Sequence, residues 1–254
     1  EVEFGPSQME ITFKPLFGLK AADNMMLFRS AMKQICKRHG YHVTFMCRPG
    51  LKNAFSSGWH LHQSLIKMAD GSNAFMPNNN KDLLSPLGMN FVAGLLKHAS
   101  AAAIFTTPTL NGYKRYKPNS LAPNRIVWGK DNKGAMLRVI GAGKNDPATH
   151  LENRVGDPAA NPYLYMASQI LSGMDGVKEK FIPQPPTNDP YAPGTDLLPT
   201  NLLEAIDALN RSKMFRKELG EQFVDYLLHI KTAEVSRFFS EVTDWEHQEY
   251  FEMY

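Results

Sequence analysis

Cysteine is scarce here: Cys36 and Cys47 are the only two among 254 residues. They cannot build a disulfide framework, and their spacing is not that of a metal-binding Cys-x-x-Cys pair, so a reducing compartment, the cytosol, is the expectation. Apolar runs are short as well. None approaches the roughly 18 residues that a membrane-spanning helix needs, and no signal-peptide pattern is present. Basic runs are missing too. The formal charge is only +3 with Lys and Arg scattered, which argues against a nucleic-acid partner. There is no Gly-x-Gly-x-x-Gly, no Gly-x-Ser-x-Gly and no Cys/His dyad. Gly141-Ala142-Gly143-Lys144 looks like the end of a P-loop, but Asn145 replaces the needed Ser or Thr and Arg138 stands where the first glycine belongs. The chain also opens on Glu1-Val2-Glu3 without an initiator Met or leader, like the middle of a longer protein.

What is present is ordinary globular composition, 43% apolar and 21% charged, in a length suited to one large domain. Alternation predicts strands over 8–14, 43–47, 58–65, 135–140 and 149–155. Helical spacing predicts helices over 21–38, 86–104 and 212–234, with a short one from Thr243 onward. Asn161 as N-cap with Pro162 behind it starts another helix, ending near Gly173. The segments 70–82, 111–125 and 181–199 read as loops or excursions rich in Pro, Gly and Asn. Strands scattered among helices, without regular β-α-β alternation, indicate an α+β fold.

Several residues could carry chemistry. His60 and His62 share one face of a strand, as do Glu152 and Arg154. Glu10 lies on the polar face of the first strand, seven residues after Glu3. Alone, each of these is more often a surface residue than a ligand. Together, three carboxylates and an imidazole form a mostly oxygen donor set that suits Mg²⁺ or Mn²⁺ better than structural zinc. Arg115, Arg138 and Arg154 offer planar forks for carboxylate or phosphate.

Five spaced motifs resemble the glutamine synthetase family. Glu3-Phe4-Gly5-Pro6-Ser7-Gln8-Met9-Glu10 is similar to its Glu-x-x-Pro-Gly-Gln-x-Glu, and Val43-Thr44-Phe45-Met46-Cys47-Arg48-Pro49 to Ala-Thr-Phe-Met-x-x-Pro. Ser57-Gly58-Trp59-His60-Leu61-His62-Gln63-Ser64-Leu65 resembles Ser-Gly-Met-His-x-His-x-Ser-Leu. Asn111-Gly112-Tyr113-Lys114-Arg115 resembles Asn-Ser-Tyr-Lys-Arg. His150-Leu151-Glu152-Asn153-Arg154 and the following Asp157-Pro158-Ala159-Ala160-Asn161-Pro162-Tyr163-Leu164 resemble Arg-x-Glu-x-Arg and Asp-x-x-Ala-Asn-Pro-Tyr-Leu. The likeness runs from Glu3 to Tyr254.

The resemblance implies a curved antiparallel sheet or partial barrel flanked by helices. Residues 1–254 would be the C-terminal portion of a catalytic domain whose preceding β-grasp domain and first strands are absent. It implies an enzyme that spends ATP, with Mg²⁺ or Mn²⁺, to phosphorylate the γ-carboxylate of glutamate before an amine attacks. Glu3, Glu10, His60 and Glu152 would hold metal, and they are expected to converge in one cleft. Ser64, Lys133 and Arg138 would meet ATP. Ser56, His62, Arg115, Arg154 and Leu121 would line the substrate, with Arg115, Arg138 and Arg154 stabilising the transferring phosphoryl group. A ring-shaped homo-oligomer with sites at subunit interfaces is also implied.

The departures are informative. Leu121 stands where the family has a flap glutamate that binds and deprotonates ammonium. Phe55-Ser56 replaces an Asn-Gly that helps bind glutamate, His150 replaces an arginine, and Lys133 another. The substrate edge is altered while the phosphate machinery is kept, which points to a primary alkyl, polyamine or aromatic amine in place of ammonia. The opposing expectation is a descendant that has lost catalysis and serves as a structural or binding body.

Overall fold

The computed structural model describes residues 1–117 and 120–254. Four short strands, β1 (Leu61–Gln63), β2 (Trp128–Lys130), β3 (Leu137–Ile140) and β4 (His150–Asn153), form one sheet in the order β1-β4-β3-β2. β4 pairs antiparallel with both β1 and β3, whereas β2 runs parallel to β3. The α+β class is as expected. The sheet is open and mixed, where the resemblance implied an antiparallel one. Among the described residues eight α-helices accompany it, α1 (Leu19–Arg38), α2 (Pro86–Lys97), α3 (Ala99–Thr106), α4 (Pro162–Lys178), α5 (Leu202–Asn210), α6 (Lys213–Leu219), α7 (Glu221–Ser240) and α8 (Asp244–Tyr250). Among the described residues no single helix is long and apolar enough to cross a membrane.

Period-two alternation divides the sheet into two faces. Leu137, Val139, Leu151 and Trp128 are buried against Phe75, Leu84, Phe91, Val92 and Leu95, so α2 covers one face of the sheet. The other face carries His62, Glu152 and Arg138 in a single cross-strand row. A second core joins α3, α5, α6 and α7 through Ile104, Phe105, Leu202, Leu209, Phe215 and Val224.

Local signals explain where the helices start. Ser85 accepts from Gly88 N at 3.1 Å with Pro86 behind it, and Asn161 caps α4 the same way before Pro162. Thr243 and Glu246 form a reciprocal capping box at α8. The expected helix over 86–104 is two helices bent by 76° at His98. His98 leaves helical geometry there, with its imidazole 2.7 Å from Asp175 on α4. The bend lets α2 pack on α4 while α3 packs on α5. The expected helix over 212–234 breaks at Gly220, whose φ of 89° belongs to the left-handed region, and α7 then continues to Ser240. α4 runs past Gly173 to Lys178.

The strand expectations fare less well. Residues 8–14 form no strand: Val2 and Met9 make an isolated bridge, and Glu1 and Glu10 exchange backbone bonds of 2.8 and 2.9 Å. Extended residues become a strand only when a neighbour supplies the ladder, and no described segment pairs with 11–14. Met9 and Phe13 accordingly stay exposed. Residues 43–47 form no strand either and are tied to the next segment by Ser57 N to Cys47 O at 2.8 Å. The strand expected over 58–65 shrinks to β1, which leaves His60 just before it.

α2 and α4 cross at glycines. A Cβ on Gly94 would lie 2.1 Å from Ser172 O, and one on Gly176 would lie 2.2 Å from Asn90 O. Neither partner is a flexible side-chain end, so backbone must move if either glycine gains a side chain. Gly94→Ala should therefore destabilise the fold by about 1–3 kcal/mol or more, lowering the melting temperature by several degrees. Gly50→Ala, with nothing within 4 Å of the added carbon, should leave it unchanged. Equal melting curves for the two variants would contradict this crossing.

Candidate active site

The centre of the polar face is Glu152, whose side chain is 3% exposed. Its register partners are His62 on β1 and Arg138 on β3, so backbone pairing alone brings an imidazole and a guanidinium to opposite sides of one carboxylate. Arg138 Nη1 donates to Oε2 at 3.1 Å, and its Nη2 donates to Asp131 Oδ1 at 3.3 Å. Arg154, two residues on and therefore on the same face, donates Nη1 to Oε1 at 2.5 Å. Its Nε donates to Lys133 O at 2.7 Å, which fixes the guanidinium plane. His60 Nδ1 lies 3.1 Å from Oε1, and His62 Nε2 lies 3.9 Å from it.

Arg115 enters from the other side, at the end of the short 3-10 turn Gly112–Arg115. Its Nη2 donates to Arg154 O at 2.9 Å and sits 3.3 Å from His60 Nε2. That approach depends on Gly58, because a Cβ there would fall 2.5 Å from the same nitrogen. Three guanidinium groups thus gather around one buried carboxylate.

The protonation states follow from this crowd. Burial by itself would raise the Glu152 pKa, but the His60 hydrogen bond and the Arg154 charge outweigh it and bring the carboxyl down to about 2. Burial pushes His60 below its ordinary value, and the Arg154 and Arg115 charges push the same way against the Glu152 bond. His62 is lowered first by burial, against the pull of Glu152. Both imidazoles are therefore neutral near pH 7, the form in which histidine ligates metal. With three arginines against the carboxylates of Glu152 and Asp131, the cluster carries surplus positive charge and attracts phosphate and carboxylate groups.

Glu3 and Glu10 stand beside each other, away from that cluster. Partial burial and the adjoining Glu3 carboxylate push the Glu10 pKa up. Their hairpin is tied towards the site by Gln8, whose Nε2 donates to Ser57 Oγ at 2.9 Å and to Ser56 O at 3.3 Å. The expected convergence of Glu3, Glu10, His60 and Glu152 is not what the structure shows. Among the described residues no group of three or more acidic, histidine or cysteine side chains is arranged to hold a metal ion. The four form two pairs instead, because Arg115, Arg138 and Arg154 occupy the contacts around His60 and Glu152. Each pair still has the donor chemistry for a hard cation. His60 Nδ1 and Glu152 Oε1 lie 3.1 Å apart, and an imidazole beside a carboxylate would suit Mg²⁺ or Mn²⁺. Two adjacent carboxylates, with the Glu10 pKa raised by its neighbour, are likewise a place where a cation relieves repulsion.

Ser64 and Lys133 are exposed at the margin of the same face, and Leu121 is exposed on the loop after Arg115 with a φ of 57°. Trp59 points elsewhere. It packs edge-on against Tyr165 at 5.1 Å with the Arg29 guanidinium over its ring at 5.1 Å. Phe55 is exposed and touches Phe4 at a centroid distance of 6.0 Å. One participant escaped the sequence reading, which took His150 only as a lost arginine. His150 Nε2 is 2.9 Å from His62 Nδ1, and its own Nδ1 donates to Ala148 O. The alternation that puts Glu152 on this face puts His150 there as well, and that was the available signal.

Glu152→Gln strips the central charge and leaves Arg154 without its counter-ion, a change that typically costs about 3–5 kcal/mol for a buried pair. The folded-state pKa of about 2 lies below the ordinary 4.5, so this stabilisation is complete above pH 4.5 and fades as pH falls towards 2. Denaturant titrations should show a constant gap between wild type and variant from pH 8 to 5, narrowing below that. A gap that widens on acidification would contradict the assignment.

The sequence matches the model of the glutamine synthetase catalytic domain over residues 1–250. It is 50% identical to a gamma-glutamylanilide synthase of an Acinetobacter species, covering 100% of this chain and 53% of the relative. A glutamine synthetase of Thermus thermophilus is 36% identical, covering 99% of this chain and 57% of that one. Among solved structures, ligand-free GmaS superposes with a TM-score of 0.82 at 33% identity, over 92% of this chain and 54% of its own. A GmaS complex with ADP gives the same TM-score at 31% identity, over 92% and 55%. The chain therefore spans about half the length of the relatives it matches, and with the catalytic-domain model covering nearly all of it, it belongs to the glutamine synthetase family.

Proposed function

We propose that the protein is an ATP-dependent carboxylate–amine ligase that activates the γ-carboxylate of glutamate as an acyl phosphate and condenses it with a primary amine larger than ammonia. The observation that carries the ligase reading is the cluster of Arg115, Arg138 and Arg154 around Glu152, His60 and His62. A phosphoryl group in transfer spreads charge over several oxygens, and fixed guanidinium forks out of bulk water offset that charge without covalent chemistry. Arg138, with Lys133 and Ser64 at its margin, would meet ATP phosphates. Arg115 and Arg154, with His62 and Ser56, would hold the acid and its phosphoryl group. His60 with Glu152, and Glu3 with Glu10, would hold Mg²⁺ or Mn²⁺, which when bound would neutralise phosphate charge. A homo-oligomer with sites completed at subunit interfaces fits a chain that presents Phe4, Phe17 and Leu19 to solvent.

Leu121 supports the choice of amine. A leucine has neither the charge to bind ammonium nor a lone pair to deprotonate it, and loss of a positioned base typically costs roughly 10²–10⁴ in rate. It offers instead about 1.5–3 kcal/mol of apolar contact if a substrate buries it fully. Phe55 extends the apolar character of the edge, and half of all positions are shared with a gamma-glutamylanilide synthase. Trp59 contributes nothing there, since Tyr165 and Arg29 engage it.

Release of ADP by the whole protein on addition of glutamate with an amine panel tests the ligase reading, and silence with every amine would favour a non-catalytic body. Within the panel, kcat/KM should favour aniline, putrescine or ethanolamine over ammonium, and Leu121→Glu should raise ammonium turnover. An ammonium preference of tenfold or more in the wild type would end the larger-amine proposal.

A further inference from the structure

The proline-rich segment after α4 is laced across the edge of the sheet. Trp128 Nε1 donates to Gln184 O at 2.7 Å, Thr187 N donates to Trp128 O at 2.8 Å, and Asn132 Nδ2 reaches Thr187 O and Asn188 O at 3.3 Å. The same segment then returns along the residues that follow Leu121. Ile126 N donates to Asp196 O at 2.9 Å, Leu198 N donates to Asn124 O at 3.0 Å, and Arg125 Nη1 donates to Thr195 O at 2.6 Å. Tyr191 sits at the turn between these two stretches, where Asp189 Oδ1 accepts from its backbone N at 3.1 Å.

Its side chain touches the site from two directions. The hydroxyl donates to Ala122 O at 3.3 Å, the carbonyl next to Leu121. The ring lies over Gly134, where an added Cβ would fall 3.1 Å from Cε2 and 3.2 Å from the hydroxyl. Gly134 follows Lys133, whose carbonyl fixes Arg154 Nε at 2.7 Å. Leu121 itself holds a φ of 57°, a conformation costly for a leucine and kept only where the surroundings impose it. The tyrosine thus bridges the strained lip residue and the turn that orients a site arginine.

We infer that Tyr191 is a positioning residue for the amine side of the reaction, its hydroxyl holding the Leu121 lip and its ring holding the turn behind Arg154. This rests on the ligase reading and is independent of which amine is preferred. Tyr191→Phe removes only the hydroxyl bond, and Tyr191→Ala removes the ring as well. In the whole protein, with whichever amine turns over best, ammonia included, Y191F should raise the amine KM about two- to tenfold, the range expected for one hydrogen bond. The KM values for glutamate and ATP should stay within twofold. Y191A should in addition lower kcat, because Arg154 loses its fixed turn, and Y191F should retain the wild-type kcat. Amide hydrogen exchange of the peptide covering 120–128, read by mass spectrometry, should be faster in both variants and needs no turnover. Unchanged exchange there would overturn the inference whatever the kinetics, and so would an amine KM in Y191F that moves no more than the KM values for glutamate and ATP. A wild type that turns over no amine, yet shows faster exchange in Y191F, would sink the ligase reading and leave the tyrosine's hold on the lip intact.

Discussion

A carboxylate buried on a sheet face needs cations, and Glu152 has them because of the register of its strand. With His62 and Arg138 as cross-strand partners and Arg154 two residues along, no loop is required to assemble the first contacts. The sheet face is rigid because its reverse side is the main hydrophobic core, packed on α2. Burial raises the cost of leaving any one member unpaired, so the cluster is ordered before any ligand arrives. A phosphate approaching this cluster would meet donors already oriented, which is the condition under which electrostatic stabilisation is large.

The same constraint shapes the rest of the chain. Gly58 is bare so that Arg115 can approach His60, and the turn at Lys133 exists in a form that leaves its carbonyl facing Arg154. The proline-rich segment closes the sheet edge at β2 and supports the residues beyond Leu121. Function and stability are therefore entangled at this face. The pairs that hold the sheet are also the groups that would meet substrate, so binding exchanges one set of counter-ions for another.

Much of the site could be read from residue order alone. Alternation over 60–64 and 150–154 put His60, His62, Glu152 and Arg154 on faces, and the family motifs gave each a role. What could not be read was which faces meet. The row His62–Glu152–Arg138 depends on pairing between segments distant in sequence, and three- or four-residue strands carry almost no periodic signal of their own. Residues 8–14 show the converse. Their alternation was clear, yet it produced no strand because, beyond the bridge at Val2 and Met9, no described segment pairs with 11–14. Helices were easier, since caps at Ser85, Asn161 and Thr243 are local chemistry. The break at His98 was hidden because its cause, Asp175, lies on another helix. Tyr191 was equally hidden, since its two contacts are reached only after the chain has crossed the sheet edge.

The central claim is that this cluster transfers phosphate to a carboxylate before an amine attacks. The most direct test uses glutamate labelled with ¹⁸O in its γ-carboxylate, the whole protein, ATP and an amine that turns over. The carboxylate oxygen that attacks the terminal phosphorus stays with phosphorus when the amine expels it. One labelled oxygen should therefore appear in inorganic phosphate for each amide formed, with ADP as the other product. Amide formation with unlabelled phosphate, or with the label in AMP, would contradict the account.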